Sequence, residues 1–248
     1  MTNKEKIIQA FFQVKSMGWV RSHRSNNTGI GKTFEDCIGV IENNLNEPDL
    51  FGFEIKAHRG ASASYVTLFT KSPSFPSGAN AYLKDKFGEN YPNSEMKKLH
   101  TSMFANSFNS YADKYSFKLI HNKDERRIYI AVYTLSGETL LDSSVYYTYD
   151  DIKRALIEKL HSLFYVRAQR RKEEDNTESF FFDYAEIYTE PSIEKFLKLL
   201  DEGKIMYDIR MGSYSSGKMY GKPHDHGSGF RIKEENIILL YANKEVVE

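Results

Sequence analysis

The stretch DLFGFEIKAH, residues 49–58, sets two acids and a lysine around an apolar run. Phe51, Phe53, Ile55 and Ala57 alternate with Gly52, Glu54, Lys56 and His58, which is the two-residue period of a strand with one buried face. Glu54 and Lys56 therefore project from the same side, and Asp49 stands just before the strand, after Pro48. SYVTLFT, residues 64–70, reads as the partner strand, with RGASA as the connection. Upstream, Ile7, Ile8, Phe11, Phe12 and Val14 recur at helical spacing over residues 3–17 and stop at Gly18. A second helix is expected over residues 33–45, with Phe34, Cys37, Ile38 and Ile41 on one side and Glu35 on another face. Downstream, a short helix is expected near 79–87, a hairpin over 117–134, an amphipathic helix over 149–162, and two strands around the charged turn after RAQRRK. SIEKFLKLLDEG reads as a helix capped by Ser192 and stopped by Gly203, followed by the strand KIMYDIRMG. Residues 88–115 are polar and give no clear element. The class is mixed α/β, with a largely antiparallel or mixed sheet.

The chain has 248 residues, enough for one large domain or one domain of two lobes, and 40% are hydrophobic, enough for a core. Cys37 is the sole cysteine, which excludes an internal disulfide and a cysteine-based zinc site. No stretch reaches the roughly 18 apolar residues of a membrane helix. MTNKEKIIQAFFQ lacks the apolar core of a signal peptide, so a soluble, cytoplasmic protein with no membrane partner is expected. The 34 basic and 34 acidic residues cancel, but their distribution is uneven. Lys4, Lys6, Lys15, Arg21, Arg24 and Lys32 face only Glu5 in the first 34 residues, and acid is concentrated between Glu173 and Glu202. That segregation fits one basic surface and one acidic back, or ordinary surface charge that folding re-mixes.

Two carboxylates brought to one point suit Mg²⁺, a hard cation that takes oxygen ligands and keeps waters for substrate phosphates. A lysine beside them can orient or deprotonate an attacking water and offset charge building on a phosphate. The spacing P-D-x4-E-x-K is the one metal-dependent DNA nucleases use to hydrolyse phosphodiesters. It also fits a solvated strand face with an i, i+2 ion pair, and Glu35 fits either a third carboxylate or an exposed helix residue. The second constellation is DIRMGSYSSGKMYGKPHDHGSGFRI, residues 208–232. Arginine reads guanine O6 and N7, and aspartate accepts from cytosine N4. Arg210, Lys218, Lys222, His224, Asp225, His226 and Arg231 thus offer a base-reading set, or a hydrated surface loop. His-Asp-His without a thiolate is a poor zinc set.

GIGKTFED, PDLFGFEIKAH, TLFTKSP, PSGAN, DIR-x-G-x-Y-x-SGK and GK-x-HDHG-x-x-FRI, in this order, resemble the MvaI/BcnI type II restriction endonucleases, PD-(D/E)xK enzymes related more distantly to the mismatch-repair nickase MutH. The resemblance runs along nearly the whole chain and thins over residues 88–175. It implies a restriction-endonuclease-like mixed sheet flanked by helices, an α+β core in two lobes around a DNA cleft. Residues 1–115 would form the catalytic lobe and 116–248 mainly the recognition lobe. By the same resemblance Asp49 and Glu54 hold Mg²⁺, for which Mn²⁺ can substitute, Lys56 is catalytic, Glu35 is an accessory acid and Lys71 lies near the active site. Arg210, Tyr214, Lys218, Lys222, His224, Asp225, His226 and Arg231 would contact DNA. A monomer acting on double-stranded DNA at CCWGG (W is A or T) is implied, with a cognate DNA methyltransferase in the same system and no stable complex with it. A MutH-like nickase and a DNA-binding module without catalysis are the alternatives.

Overall fold

The computed structural model describes residues 1–25, 29–40, 49–58 and 65–247. Pro48, Ile41 and the RGASA connection lie outside the described residues. The first elements are α1 (Asn3–Ser16), β1 (Trp19–Arg21), α2 (Gly29–Cys37), β2 (Glu54–His58), β3 (Tyr65–Thr70) and α3 (Ala79–Phe87). Then come β4 (Glu89–Asn90), β5 (Lys97–Met103), β6 (Tyr115–Asn122), β7 (Arg127–Thr134), β8 (Leu140–Thr148) and α4 (Tyr149–Leu160). The last are β9 (Ser162–Lys172), β10 (Glu178–Pro191), α5 (Ile193–Asp201), β11 (Ile205–Ser213), β12 (Pro223–Asp225), β13 (Gly229–Lys233) and β14 (Tyr241–Val247). They fold into two compact units between which the chain crosses four times. Unit 1 is Met1–Ser64, Leu156–Ser192 and Ile237–Glu248; unit 2 is Tyr65–Ala155 and Ile193–Asn236. The boundary expected near residue 115 falls inside unit 2.

In unit 1 the sheet runs β1-β10-β9-β2, with β14 sharing the β1 edge of β10. Its neighbours are antiparallel except β2 and β9, which are parallel with Glu54 opposite Leu163 and Lys56 opposite Tyr165. The sheet is therefore mixed. α1 starts at a reciprocal cap between Thr2 and Glu5 and buries Ile7, Phe11 and Val14. With Ile30 and Phe34 of α2, these cover the face of the sheet that carries Ile55, Phe164, Val166, Phe180 and Phe182. Phe164 meets the rings of Phe11, Phe34 and Phe53 at 6.0, 6.5 and 6.3 Å. Truncating it to alanine would open a cavity at the junction of both helices with the sheet, at a cost of about 3–5 kcal/mol.

Two expectations around the opening stretch are corrected. The strand begins at Glu54, because residues 49–53 turn: Leu50 and Phe53 exchange backbone bonds of 3.1 and 2.8 Å, with Phe51 at φ 51° and Gly52 at φ 80°. Nor do residues 65–70 pair with β2. They form β3, antiparallel to β13 in unit 2. Periodicity marks a strand but not its neighbour. A parallel neighbour requires a crossover rather than a short turn, and the chain between β2 and β9 includes the first segment of unit 2 and α4.

Unit 2 holds a sheet ordered β3-β13-β11-β5-β4, with β12 on β11, and the meander β6-β7-β8. Phe230 lies 5.0–5.5 Å from the rings of Tyr147, Tyr207, Phe196 and Phe69, which form its aromatic core. β5 carries little periodic signal, because KKLHTSM fully buries only Leu99 and Met103. No described helix is long and apolar enough to cross a membrane.

Candidate functional site

The turn at 49–53 is what brings Asp49 to the strand. Five extended residues would separate it from Glu54 by roughly 16 Å, whereas here Ile55 N–H donates to Asp49 Oδ2 at 2.8 Å. Glu54 is only 2% exposed. Its Oε1 accepts from Lys56 Nζ. Its Oε2 is buried, accepts no hydrogen bond of good geometry, and lies 2.8 Å from Lys159 Nζ. The same ammonium is 3.8 Å from Asp49 Oδ1. Burial alone would lower the Lys56 pKa, but the charge and hydrogen bond of Glu54, then the charges of Asp49 and Glu35, outweigh it and raise the value. Glu35, on α2, is thus within electrostatic reach of the group.

The motif predicted Asp49, Glu54 and Lys56 together, and the structure brings them together. It adds Lys159, which periodicity had no means to single out: a lysine in the last turn of an amphipathic helix is ordinary until β9 is known to lie beside β2. Lys71 belongs to unit 2. Its ammonium is 3.8 Å from Asp151, and its carbonyl accepts from Tyr147 Oη at 2.8 Å.

The donor set fits a hard divalent cation. Two carboxylates from one short segment converge, and a buried carboxylate oxygen has no hydrogen bond. Among the described residues no group of three or more His, Cys, Asp or Glu side chains is placed to hold a metal. Two carboxylates with water and phosphate oxygens are the usual magnesium arrangement.

In unit 2 the second constellation spreads over β11, the following turn, β12 and β13. Asp208, buried on β11, holds two arginines: Arg210 Nε donates to Asp208 Oδ2 at 2.7 Å, and Arg231 Nε lies 2.9 Å from the same oxygen. The two differ in freedom. The Arg210 side chain is 47% exposed, whereas that of Arg231 is 13% exposed and also donates to Thr67 Oγ1 and the Gly227 carbonyl. Tyr214 stacks on His224 at 4.1 Å, His224 meets His226 at 4.1 Å, and His226 meets His100 edge-on at 5.9 Å. Burial, then charge interactions with His226, Lys98 and Arg210, lower the His100 pKa. The His226 ring lies close over Gly212, where a Cβ would come within 2.9 Å of it.

Asp225, expected as a cytosine acceptor, is already engaged. It accepts from Asn80 Nδ2 and from the Gly227 and Ser228 amides at 2.9, 3.0 and 2.7 Å, which closes the turn. Lys218 and Lys222 are exposed on the turn. Asp208 and His100 were not singled out from the sequence. The first was legible, since DIR repeats the acid–isoleucine–base spelling of EIK; the second lies in the unread strand β5.

Residues 8–241 match the model of the MvaI/BcnI restriction endonuclease family. No curated protein matches the chain. Among solved structures, restriction endonuclease MvaI in complex with cognate DNA substrate is 33% identical, with a TM-score of 0.85, covering 98% of this chain and 97% of that one. MvaI in the absence of DNA is 32% identical, with a TM-score of 0.68, covering 100% and 98%. A shared mixed α+β fold and a match over nearly the whole length of both chains make this protein a type II, site-specific DNA endonuclease that belongs to the MvaI/BcnI restriction endonuclease family.

Proposed function

We propose that this endonuclease hydrolyses double-stranded DNA in a Mg²⁺-dependent reaction at a short G·C-rich site, with CCWGG as the leading target, and acts as a monomer. The convergence of Asp49, Glu54 and Lys56 at the start of β2 carries this reading. Asp49 and Glu54 hold the ion, with Glu35 as accessory acid. When bound, Mg²⁺ supplies Lewis-acid polarisation of the scissile phosphate. Lys56, anchored on Glu54, orients or activates the attacking water. Water adds to phosphorus as the 3′-oxygen leaves, giving 5′-phosphate and 3′-hydroxyl ends. By the family resemblance, Lys71 contributes a further cation to the reaction. Unit 1 thus carries the chemistry, and unit 2 most of the reading.

For the reading, Arg210 offers its Nη groups to a guanine while Asp208 holds its Nε. Arg231 serves a second guanine from a more fixed position. His224 and His226 donate to further acceptors. Asp225 accepts from a cytosine with the lone-pair capacity that its two turn amides and Asn80 leave, since a carboxylate has about four acceptor sites. Tyr214, Lys218 and Lys222 contact the backbone, where charge adds affinity without sequence information. A monomer with one such centre nicks one strand, reorients and cuts the other.

The test is incubation with plasmid and Mg²⁺, followed by sequencing of the ends. Discrete fragments cut at one G·C-rich sequence are expected, with Mn²⁺ substituting and EDTA abolishing cleavage. Nicked circles alone would mean a nickase, and full activity after exhaustive EDTA treatment would remove the metal.

A further inference from the structure

Lys159 lies outside the motif and outside every role assigned above. Its single ammonium bridges both carboxylates where they converge, at 2.8 Å from Glu54 Oε2 and 3.8 Å from Asp49 Oδ1. Chain geometry sets this. α4 ends at Leu160, β9 starts at Ser162, and Leu163 lies opposite Glu54, so the last turn of α4 overhangs the start of β2. Two like charges held together in a poorly solvated place need cations nearby. Lys56 serves the Oε1 side of Glu54, and Lys159 serves the Oε2 side and Asp49. The Lys159 side chain is 25% exposed and four carbons long. Its head can swing outward without the helix moving.

We propose that Lys159 is a built-in counter-ion. It keeps Asp49 and Glu54 converged in the metal-free protein and yields its place to the incoming divalent ion. This rests on the reading of Asp49 and Glu54 as metal ligands. Two consequences then pull in opposite directions. Removing the ammonium destabilises the metal-free protein, and it also removes a competitor and so strengthens metal binding. A surface lysine without this role would change neither, and a lysine that merely shapes the site would weaken metal binding when lost.

The experiment titrates Mn²⁺ into the full chain without DNA, following the free ion by electron paramagnetic resonance, and records melting in EDTA. Lys159→Met should bind Mn²⁺ roughly ten-fold more tightly than the parent and melt at a lower temperature in EDTA. Lys159→Arg should melt like the parent and bind no more tightly. Lys159→Gln, which removes the charge but keeps a polar head, carries the same comparison if the methionine variant does not fold. Glu54→Gln separates the two layers of inference. If it abolishes binding while the Lys159 variants bind no tighter than the parent, the counter-ion role is overturned and the ligands stand. If it leaves Mn²⁺ binding unchanged, both are overturned.

Discussion

Unit 1 and unit 2 each contain the same three-residue spelling, acid–isoleucine–base: Glu54-Ile55-Lys56 on β2 and Asp208-Ile209-Arg210 on β11. In both, the isoleucine points into a core and the acid, also buried, accepts a hydrogen bond from the base two residues on. They part company at the groups that join them. Around Glu54 stand Asp49 and Glu35, with Lys159 as second cation, so acids outnumber lysines. Around Asp208 stands Arg231, so guanidiniums outnumber carboxylates. An i, i+2 ion pair therefore says little about ligand, and the sign of the surplus says a great deal. Extra hard oxygen suits a divalent cation, and extra N–H donors suit the acceptor edge of guanine.

The largest test of this contrast removes one member of the acid-rich group. Lys56→Ala and Glu54→Gln should each lower cleavage by at least roughly 10³-fold, while sequence-specific binding in Ca²⁺, read by gel shift, stays close to the parent. Affinity is spread over many backbone contacts, and the centre touches one phosphate. Binding lost together with cleavage would make these residues structural and dissolve the contrast.

Next in size are the two arginines, which the sequence places on an equal footing and the structure does not. Arg210→Ala and Arg231→Ala should each lose about 1–3 kcal/mol of discrimination at one G·C pair, read from cleavage of sites altered one base pair at a time. Only Arg231→Ala should also lower the melting temperature, because its guanidinium ties Asp208, Thr67 and Gly227 together. Equal melting losses in both would mean that the difference in burial has no energetic weight.

What the sequence made legible follows from which signals are local. The period of β2, the helices α1, α3 and α5 and the β6–β7 hairpin each lie within about twenty consecutive residues, and all five are legible. Asp49, Glu54 and Lys56 were readable because a turn and one strand suffice to assemble them. Lys159 was not, since its position depends on a parallel pairing between strands about a hundred residues apart in sequence. The turn bonds of Asp225 were not legible for a related reason: a loop carboxylate two residues before a glycine satisfies its own turn as readily as it meets a ligand, and Asp225 makes those turn bonds here.

A smaller effect is expected at Asp208 itself. Asp208→Asn keeps the shape but weakens the hold on both guanidiniums. Specific binding should fall about ten-fold, or roughly 1.4 kcal/mol, while non-specific binding to a duplex without a site changes little. A parallel fall in both would mean that Asp208 supports the fold of unit 2 rather than the placement of its donors.

The smallest expected effect comes from a group in which the signs balance. Asp142 of β8 pairs with Lys86 at 2.6 Å and accepts from Tyr82 Oη, also at 2.6 Å, and from the Ser144 amide and hydroxyl. One acid meets one lysine, so no surplus is left for a ligand. Asp142→Asn should leave cleavage and DNA binding unchanged and lower stability by about 1 kcal/mol near neutral pH. Burial would raise the Asp142 pKa, but the hydrogen bonds from Lys86, Tyr82 and Ser144 outweigh it and hold the carboxyl well below the usual range. The sign follows: a depressed folded value gives stabilisation that is complete above the unfolded value of about 3.9 and is lost as pH falls through the folded one. Urea melts of the parent and Asp142→Asn should therefore differ by a constant amount from about pH 8 to 5 and converge below about pH 4. A gap that stays constant into acid would mean that the carboxylate charge contributes nothing there. Loss of cleavage in a stably folded Asp142→Asn would break the rule that only an unbalanced group serves a ligand.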